Sequence, residues 1–121
     1  MDEGNKPSQE DKEAEAGKSL EGVDRRLRDP LNDELFEAIL LLKNKEECYR
    51  FFQDIATIAE IKALAQRLEV AKLLEKNVTY TTIAHQTGAS TATISRVKRC
   101  LYFGADGYQL ILKRLEEKEK F

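Results

Sequence analysis

Residues that build metal sites, disulfide scaffolds and active sites are scarce in this sequence. Its 121 residues include two cysteines, two prolines, one histidine and no tryptophan. Cys48 and Cys100 stand far apart and match no metal-ligand spacing, which argues against a zinc module. Two isolated cysteines cannot support a small disulfide scaffold either, so we expect two reduced, half-buried thiols.

Long hydrophobic runs are also missing. No apolar stretch approaches the ~20 residues that a helix needs to cross a bilayer. The N-terminus is acidic and polar, unlike the basic and then apolar start of a secretory signal. The sequence therefore predicts a cytoplasmic protein that has no membrane partner.

Signatures of catalysis are missing as well. The single histidine, His85, has no matched nucleophile or acidic partner in its segment, and a surface position near phosphate explains it better. There is no nucleophile elbow, phosphate-binding loop or dinucleotide fingerprint. The acidic pairs Glu46-Glu47 and Glu116-Glu117 are typical of solvated helix faces. We therefore predict a protein that is not an enzyme and needs no cofactor.

The residues that are abundant favour helices. Charged residues make up 35% and hydrophobic residues 41% of the chain, and no segment alternates with the period of a strand. Residues 1–30 carry nine acidic and six basic side chains and few large apolar ones. We expect this segment to be a disordered acidic tail, followed by one all-α domain over residues 31–121.

Capping signals divide the domain into six predicted helices. Asp29-Pro30 should start the first helix, and Asn44-x-x-Glu47 resembles a capping box that should start the second. Thr57-x-x-Glu60 is a capping box, and Asp106-x-x-Gln109 should cap the last helix. Asn77 can end the long third helix in the left-handed conformation. The predicted helices span about 30–43, 44–54, 57–76, 80–87, 90–102 and 106–118. On the third helix we expect the inward residues to be Ile61, Leu64, Ala65, Leu68, Ala71 and Leu73 or Leu74.

One stretch of the chain contains no acidic residue. Between Asn77 and Ala105 there is no Asp or Glu, while Arg96, Lys98 and Arg99 stand close together. On a chain with a net charge of −2 this stretch predicts a basic patch with a specific partner. A chance run on a solvated face is the alternative.

The spacing within this stretch is typical of a helix-turn-helix over about residues 80–101. Ile83 and Ala84 lie on a first short helix, and Gly88 follows where a tight turn needs a positive φ. Ala89, Ile94 and Val97 then supply the buried positions of the second helix. A helical hairpin inside an ordinary bundle can show the same spacing.

The outward face of the second helix suits double-stranded DNA. If the five apolar positions are buried, the outward residues are Ser90, Thr91, Ala92, Ser95, Arg96 and Arg99. Small side chains let a helix enter the ~12 Å major groove, where hydroxyls and a methyl group can contact base edges. Arg96, Lys98 and Arg99 supply cations for phosphates or guanine.

The stretches "ECYRFF", "RLEVA" and "GASTATISRVKRCL" resemble the Trp-repressor-like family, most closely its small bacterial YerC/YecD-type branch. The resemblance covers roughly residues 31–115. It implies an intertwined helical homodimer that carries one helix-turn-helix in each subunit. The broadly apolar first two helices agree independently, because a domain of ~90 residues could not bury all of that surface alone.

The resemblance also implies roles for individual residues. By position, the DNA-facing residues would be Thr81, Ser90, Thr91, Ala92 and Ser95. Arg67 and Arg96 match two arginines that hold the tryptophan ligand in the founding members, and Thr57 matches a ligand-contacting threonine. Each residue also has a structural interpretation. Thr57 can cap a helix, Arg67 can pair with a helix acid such as Glu60 or bridge the subunits, and Arg96 can contact a phosphate.

At two positions the sequence departs from the tryptophan-responsive relatives. They follow the matched arginine with a glycine, which leaves room for the indole ring, whereas Val97 follows Arg96 here. A serine of the relatives is replaced by Cys100, a weaker hydrogen-bond partner. We therefore expect that tryptophan is not the corepressor. A small anionic effector is still compatible with the sequence, because Arg67 and Arg96 are present.

These observations predict a homodimeric, sequence-specific DNA-binding transcriptional regulator, in particular a repressor that reads a palindromic site. The alternative is a helical protein-interaction module in which the hairpin is only a scaffold.

Overall fold

The computed structural model describes residues 20–120 of the chain. This part contains α-helices joined by short connections and no β-strand, which confirms the all-α prediction. The helices are α1 (Pro30–Leu40), α2 (Lys45–Ile55), α3 (Ile58–Glu75), α4 (Tyr80–Thr87), α5 (Thr91–Phe103) and α6 (Gly107–Glu119). None of these helices combines the length and apolar character needed to cross a membrane.

The segment before α1 was predicted to be a tail. Residues 1–19 of that predicted tail lie outside the described residues. Closer to the domain, Arg25–Leu27 form one turn of 3-10 helix, which the Asp24 side chain caps by accepting a hydrogen bond from the backbone N–H of Arg26. The Arg26 side chain also pairs with Asp24, and this contact lowers the pKa of the Asp24 carboxyl.

Side-chain caps start α1 and α2 where the sequence predicted them. The Asp29 carboxylate accepts a hydrogen bond from the backbone N–H of Leu31, and Pro30 occupies the first helical position. Asn44 accepts from the backbone N–H of Glu47, whose carboxylate in turn accepts from the backbone N–H of Lys43 at 2.9 Å. α1 ends at Leu40 and not near Lys43, because the Lys43 backbone belongs to the cap of α2.

Both ends of α3 follow from local sequence. Thr57 and Glu60 form the predicted capping box, with each side chain accepting a hydrogen bond from the other residue's backbone N–H. The backbone and side chain of Thr57 lower the pKa of the Glu60 carboxyl. At the other end, Asn77 has the predicted left-handed conformation, with φ 61°. The N–H groups of Asn77 and Val78 bond the carbonyls of Leu74 and Leu73, which is a Schellman motif.

The start of α6 differs from the prediction. Asp106 precedes the helix, but its backbone is left-handed (φ 66°) and its side chain makes no capping hydrogen bond. Gln109 does not contribute to a cap of α6. Its amide donates a hydrogen bond to the carbonyl of Leu101 at 2.7 Å, which satisfies a carbonyl near the end of α5. Gln109 therefore joins α6 to α5, and Asp106 and Gln109 do not form a capping pair.

The hydrophobic core lies among α3, α4, α5 and α6. The most extensive helix packings in the described residues each join two of these four helices. The buried core residues are Val70, Ala71 and Leu74 of α3, Ile83 of α4, Ala89 of the turn, Ile94, Val97 and Leu101 of α5, and Leu112 of α6.

The inward face of α3 was predicted only in part. Ala71 and Leu74 are buried as expected, but Val70 is also buried and was not expected. Leu64 stays 54% exposed and Ala65 is exposed, although both were predicted to point inward. The reason is geometric, because α4, α5 and α6 pack against the C-terminal half of α3 and leave its N-terminal half uncovered within one chain.

α1 and α2 bury none of their residues within the chain. Large apolar side chains on these helices face outward, among them Leu40 (82% exposed) and Tyr49 (72% exposed). Phe51 and Phe52 are half-buried and meet edge to face, with their ring centroids 5.6 Å apart. The N-terminal helices thus present an apolar surface that the rest of the described chain does not cover.

Candidate nucleic-acid interface

A tight turn joins α4 to α5 in the predicted way. Gly88 has φ 73°, and its N–H bonds the carbonyl of Ala84 at 2.9 Å. The Thr87 hydroxyl donates to the carbonyl of Ile83 at 2.7 Å and accepts from the N–H of Ala89 at 3.1 Å. From α3, the Gln66 amide donates to the carbonyl of Thr87, which ties the turn to the long helix. The turn is therefore fixed by hydrogen bonds from both sides.

The predicted buried positions form the inside of the hairpin. Ile83, Ala89, Ile94 and Val97 are buried, and Ala84 is half-buried against the same cluster. The small Ala84 side chain lets α4 and α5 approach closely. The helix-turn-helix is thus a packed unit. Because these residues point into its core, the remaining residues of α5 form its outer face.

The N-termini of α4 and α5 carry the same kind of cap. The Thr79 hydroxyl accepts a hydrogen bond from the backbone N–H of Thr82, and Ser90 does the same for Thr93. In each pair the two hydroxyl groups also bond each other, at 2.9 Å and 3.0 Å. Neither helix has an acidic residue in its first turn. Ser90 therefore has a structural role in addition to its predicted DNA contact.

All side chains that were predicted to contact DNA are exposed. They are Thr81 on α4, Ser90 at the cap, and Thr91, Ala92, Ser95, Arg96, Lys98 and Arg99 on α5. With 3.6 residues per turn, Ala92 and Arg99 fall opposite the buried stripe of α5, and Ser95 and Arg96 lie between them. Within residues 20–120, no carboxylate forms an ion pair with Arg96, Lys98 or Arg99. The outer face of α5 is therefore small, hydroxylated and cationic.

Tyr80 belongs to this surface, although the sequence reasoning did not include it. The ammonium nitrogen of Lys98 lies 5.4 Å from the centroid of the Tyr80 ring. The two residues stand on different helices, so no helical spacing in the sequence points to the contact. It becomes visible only when α4 and α5 are packed.

The three residues matched to a ligand site do not meet in one chain. Thr57 caps α3, whereas Arg67 lies ten residues further along the same helix, about 15 Å away at 1.5 Å per residue. Arg67 and Arg96 both influence the pKa of Tyr108 on α6. Burial raises the pKa of Tyr108, Cys100 adds to the rise, and the two arginines oppose it.

An open, mainly apolar depression of about 480 Å³ lies beside Tyr108, and its lining includes Leu68, Cys100, Tyr108 and Ile111.

Arg67 makes no ion pair within residues 20–120, so its suggested pairing with Glu60 is wrong for a single chain. Glu60 instead accepts its hydrogen bond from Thr57.

The remaining candidates are minor. Cys48 is half-buried as expected, but Cys100 is exposed and the expectation for it was wrong. Cys100 lies on the flank of α5 next to α6 and not under the buried stripe. His85 is exposed in the last turn of α4. Among residues 20–120, no three His, Cys, Asp or Glu side chains are grouped closely enough to hold a metal ion.

Comparisons with known proteins agree with this geometry. The family model described as Trp repressor protein matches residues 31–116. The uncharacterized protein YerC of Bacillus subtilis (strain 168) is 58% identical over 94 residues, which are 78% of this chain and 90% of that protein.

Two crystal structures are also similar to the chain. A candidate Trp repressor from Staphylococcus aureus is 55% identical with a TM-score of 0.73, over 76% of this chain and 92% of that one. A TrpR-like protein from Eubacterium eligens ATCC 27750 is 52% identical with a TM-score of 0.75, over 77% of this chain and 96% of that one. The predicted resemblance is confirmed: the chain belongs to the Trp repressor family, a family of DNA-binding regulators, and stands close to YerC.

Proposed function

We propose that this protein is a sequence-specific transcriptional regulator, a repressor that binds a palindromic DNA site as a homodimer. Each subunit inserts α5 into the major groove, with Thr91, Ala92 and Ser95 at base edges. The DNA backbone or guanine bases are contacted by Arg96, Lys98, Arg99 and the hydroxyl of Thr81. The function requires access to the chromosome, which agrees with a cytoplasmic, nucleoid-associated location.

One observation supports the proposal most strongly. α5 presents an acid-free, cationic face that is held outward by a buried hairpin core and a fixed turn at Gly88. Phosphates dominate the affinity of proteins for DNA, and small polar side chains let a helix reach the bases. A hairpin that serves only as a scaffold in a helical bundle does not require an outer face with charges of a single sign.

The apolar surface of α1 and α2 supports the homodimer. A single chain leaves Leu31, Leu40, Leu41 and Tyr49 more than two-thirds exposed, and solvent-exposed apolar patches of this kind mark protein interfaces. A second copy of the same chain offers the same surface, as a two-fold interface requires. In helix-turn-helix dimers, the Trp repressor among them, the two recognition helices lie one DNA turn apart, about 34 Å.

The salt dependence of DNA binding tests the proposal. The logarithm of the association constant for a random duplex should fall linearly with the logarithm of salt concentration. The slope should steepen by about 0.9 for each phosphate that the protein neutralises. A flat response, or no binding at low salt, would instead support the alternative of a helical protein-interaction module.

We further propose that DNA binding does not use tryptophan as a corepressor. Val97 occupies the position of the glycine in tryptophan-responsive relatives, and its side chain is buried in the hairpin core. A ligand shifts an equilibrium only through different affinities for the two states, and a filled ring space leaves tryptophan little to bind. Arg67 and Arg96 are still available, so a smaller anionic effector is compatible with this proposal.

Calorimetry with L-tryptophan, followed by DNA binding with and without it, tests this second proposal. We expect no saturable binding below about 100 µM, which corresponds to roughly −5.5 kcal/mol. Saturable binding in that range together with tighter DNA binding would contradict it.

A further inference from the structure

The contact between Lys98 and Tyr80 links the two helices of the hairpin at its outer surface. The separation of 5.4 Å between the ammonium nitrogen and the ring centroid is within the ~6 Å range of a cation–π interaction. Tyr80 is the first residue of α4 and is half-buried against the core cluster. The ring is therefore held in place from behind, while Lys98 reaches it from the exposed side of α5.

The surroundings give the ammonium group of Lys98 no carboxylate partner. No acidic residue occurs between Asn77 and Ala105, and Lys98 forms no ion pair in the part of the chain that the structure describes. Along α5, Lys98 stands one turn after the buried Ile94 and one turn before the buried Leu101, so it flanks the buried stripe on the side of α4. The ring of Tyr80 is the group that it meets there.

From this contact, and resting on the proposed DNA-binding function, we propose that Tyr80 positions Lys98 for a DNA phosphate at the junction of α4 and α5. A lysine that is free in solution loses side-chain freedom when it binds, and this loss opposes binding. A lysine already held over a ring has lost part of that freedom beforehand. The ring faces one side of the ammonium group, so its remaining N–H donors stay available to a phosphate.

Arg99 is the internal comparison for this role. It lies on the outermost line of α5, opposite the buried stripe, and has no aromatic ring against it in the described residues. Tyr80 should therefore affect the contribution of Lys98 and leave that of Arg99 unchanged.

A double-mutant cycle on the full chain tests the inference. The variants are Tyr80→Leu, Tyr80→Phe, Lys98→Met and the double variant Tyr80→Leu/Lys98→Met. The dissociation constant for a duplex is measured for each at several salt concentrations, and thermal melting checks that each variant folds. Tyr80→Leu in an Arg99→Ala background serves as the matched control.

We expect Tyr80→Leu to weaken DNA binding about 2- to 5-fold, the range of an exposed cation–π contact. Tyr80→Phe should bind like the parent chain, because it keeps the ring. In the Lys98→Met background, Tyr80→Leu should have no effect, whereas in the Arg99→Ala background its effect should persist. In NMR spectra of the free protein, Tyr80→Leu should remove a ring-current shift from the ε-methylene protons of Lys98.

Two outcomes would overturn this inference alone: a Tyr80→Leu variant that binds DNA like the parent, or one whose loss is equally large with and without Lys98. The second outcome would make Tyr80 a structural residue only. If the parent chain does not bind DNA at low salt, the proposed function fails, and the inference fails with it.

Discussion

The two halves of this chain use their apolar residues in opposite ways. α3 to α6 gather many of theirs into one core, in which Val70, Ala71 and Ile83 are completely buried, although Phe103 and Leu110 stay exposed. α1 and α2 are also rich in leucine and aromatic residues, yet they bury none of them within the chain. The difference does not come from composition, because both halves contain enough apolar side chains to form a core.

The difference instead indicates that the two halves bind different kinds of partner. The C-terminal half packs a core of its own behind the helix-turn-helix, and the acid-free outer face of α5 stays exposed. The N-terminal half needs an apolar partner, and we infer that a second copy supplies it. The N-terminal half of α3 also leaves apolar side chains uncovered, among them Ile58 and Leu64.

The largest effect should come from weakening that surface. Leu40→Gln replaces an exposed leucine that we expect to be buried between subunits. Losing ~1.5–3 kcal/mol in each of two symmetric copies should raise the dimer dissociation constant ~100-fold or more. Sedimentation equilibrium measures this constant. Glu117→Gln removes an exposed charge on α6, in the other half of the chain, and is the control that should leave the constant unchanged. An unchanged constant for Leu40→Gln would contradict the assignment of the interface.

The next largest effect should come from the C-terminal core. Ile83→Ala removes a fully buried side chain of α4, and we expect the free energy of unfolding to fall by about 2–5 kcal/mol. Chemical denaturation measures it. This loss should be similar at all protein concentrations. The loss from Leu40→Gln should instead be absent where both chains are monomeric, and it should grow with concentration as the parent chain dimerises. If the loss in free energy of unfolding varies with protein concentration in the same way for both variants, the proposed difference between the two halves is wrong.

A smaller effect should come from the turn. Gly88→Val forces a β-branched residue into a left-handed conformation and should lower stability by about 1–3 kcal/mol. A Cβ at Gly88 would meet no atom within 4 Å, so the loss reflects backbone conformation and not a collision. Gly88→Asn is the control, because asparagine tolerates this conformation better. Equal melting temperatures for the valine variant and the parent would exclude this account of Gly88.

The last effects fall on DNA binding and not on stability, and they should separate two positions on the outer face of α5. Arg99→Ala should weaken binding to every DNA sequence alike and reduce the salt slope by about 0.9. Thr91→Ala should instead relax the preference at one base position, by about 1–3 kcal/mol. Binding of both variants to a set of single-base variants of the DNA site measures this. If both variants only unfold, the assignment of the outer face is wrong.

Local rules in the sequence predicted much of the fold. The caps at Asp29, Asn44 and Thr57, the left-handed Asn77 and Gly88, and the buried hairpin positions all depend on neighbouring residues, and all were found where expected. The same rules fixed which residues of α5 face outward. These features were accessible because a helix end or a helix face is specified within a few residues.

Features that depend on packing between helices were not accessible. Leu64 is exposed because α4 to α6 pack only against the C-terminal half of α3. The spacing of apolar residues along α3 does not reveal how far that packing extends. Asp106 and Gln109 looked like a capping pair, but Gln109 bonds the end of α5 instead. The contact of Lys98 with Tyr80 also requires the packed hairpin.

The central claim is that two copies of this chain, joined through the N-terminal half, present two reading helices to DNA. In-vitro selection from a random pool of duplex DNA, with the full chain as bait, tests it most directly. The account predicts enrichment of a palindrome whose half-site centres are about one helical turn apart, 10–10.5 base pairs. A pool that stays random, or that yields a single asymmetric half-site, would contradict it.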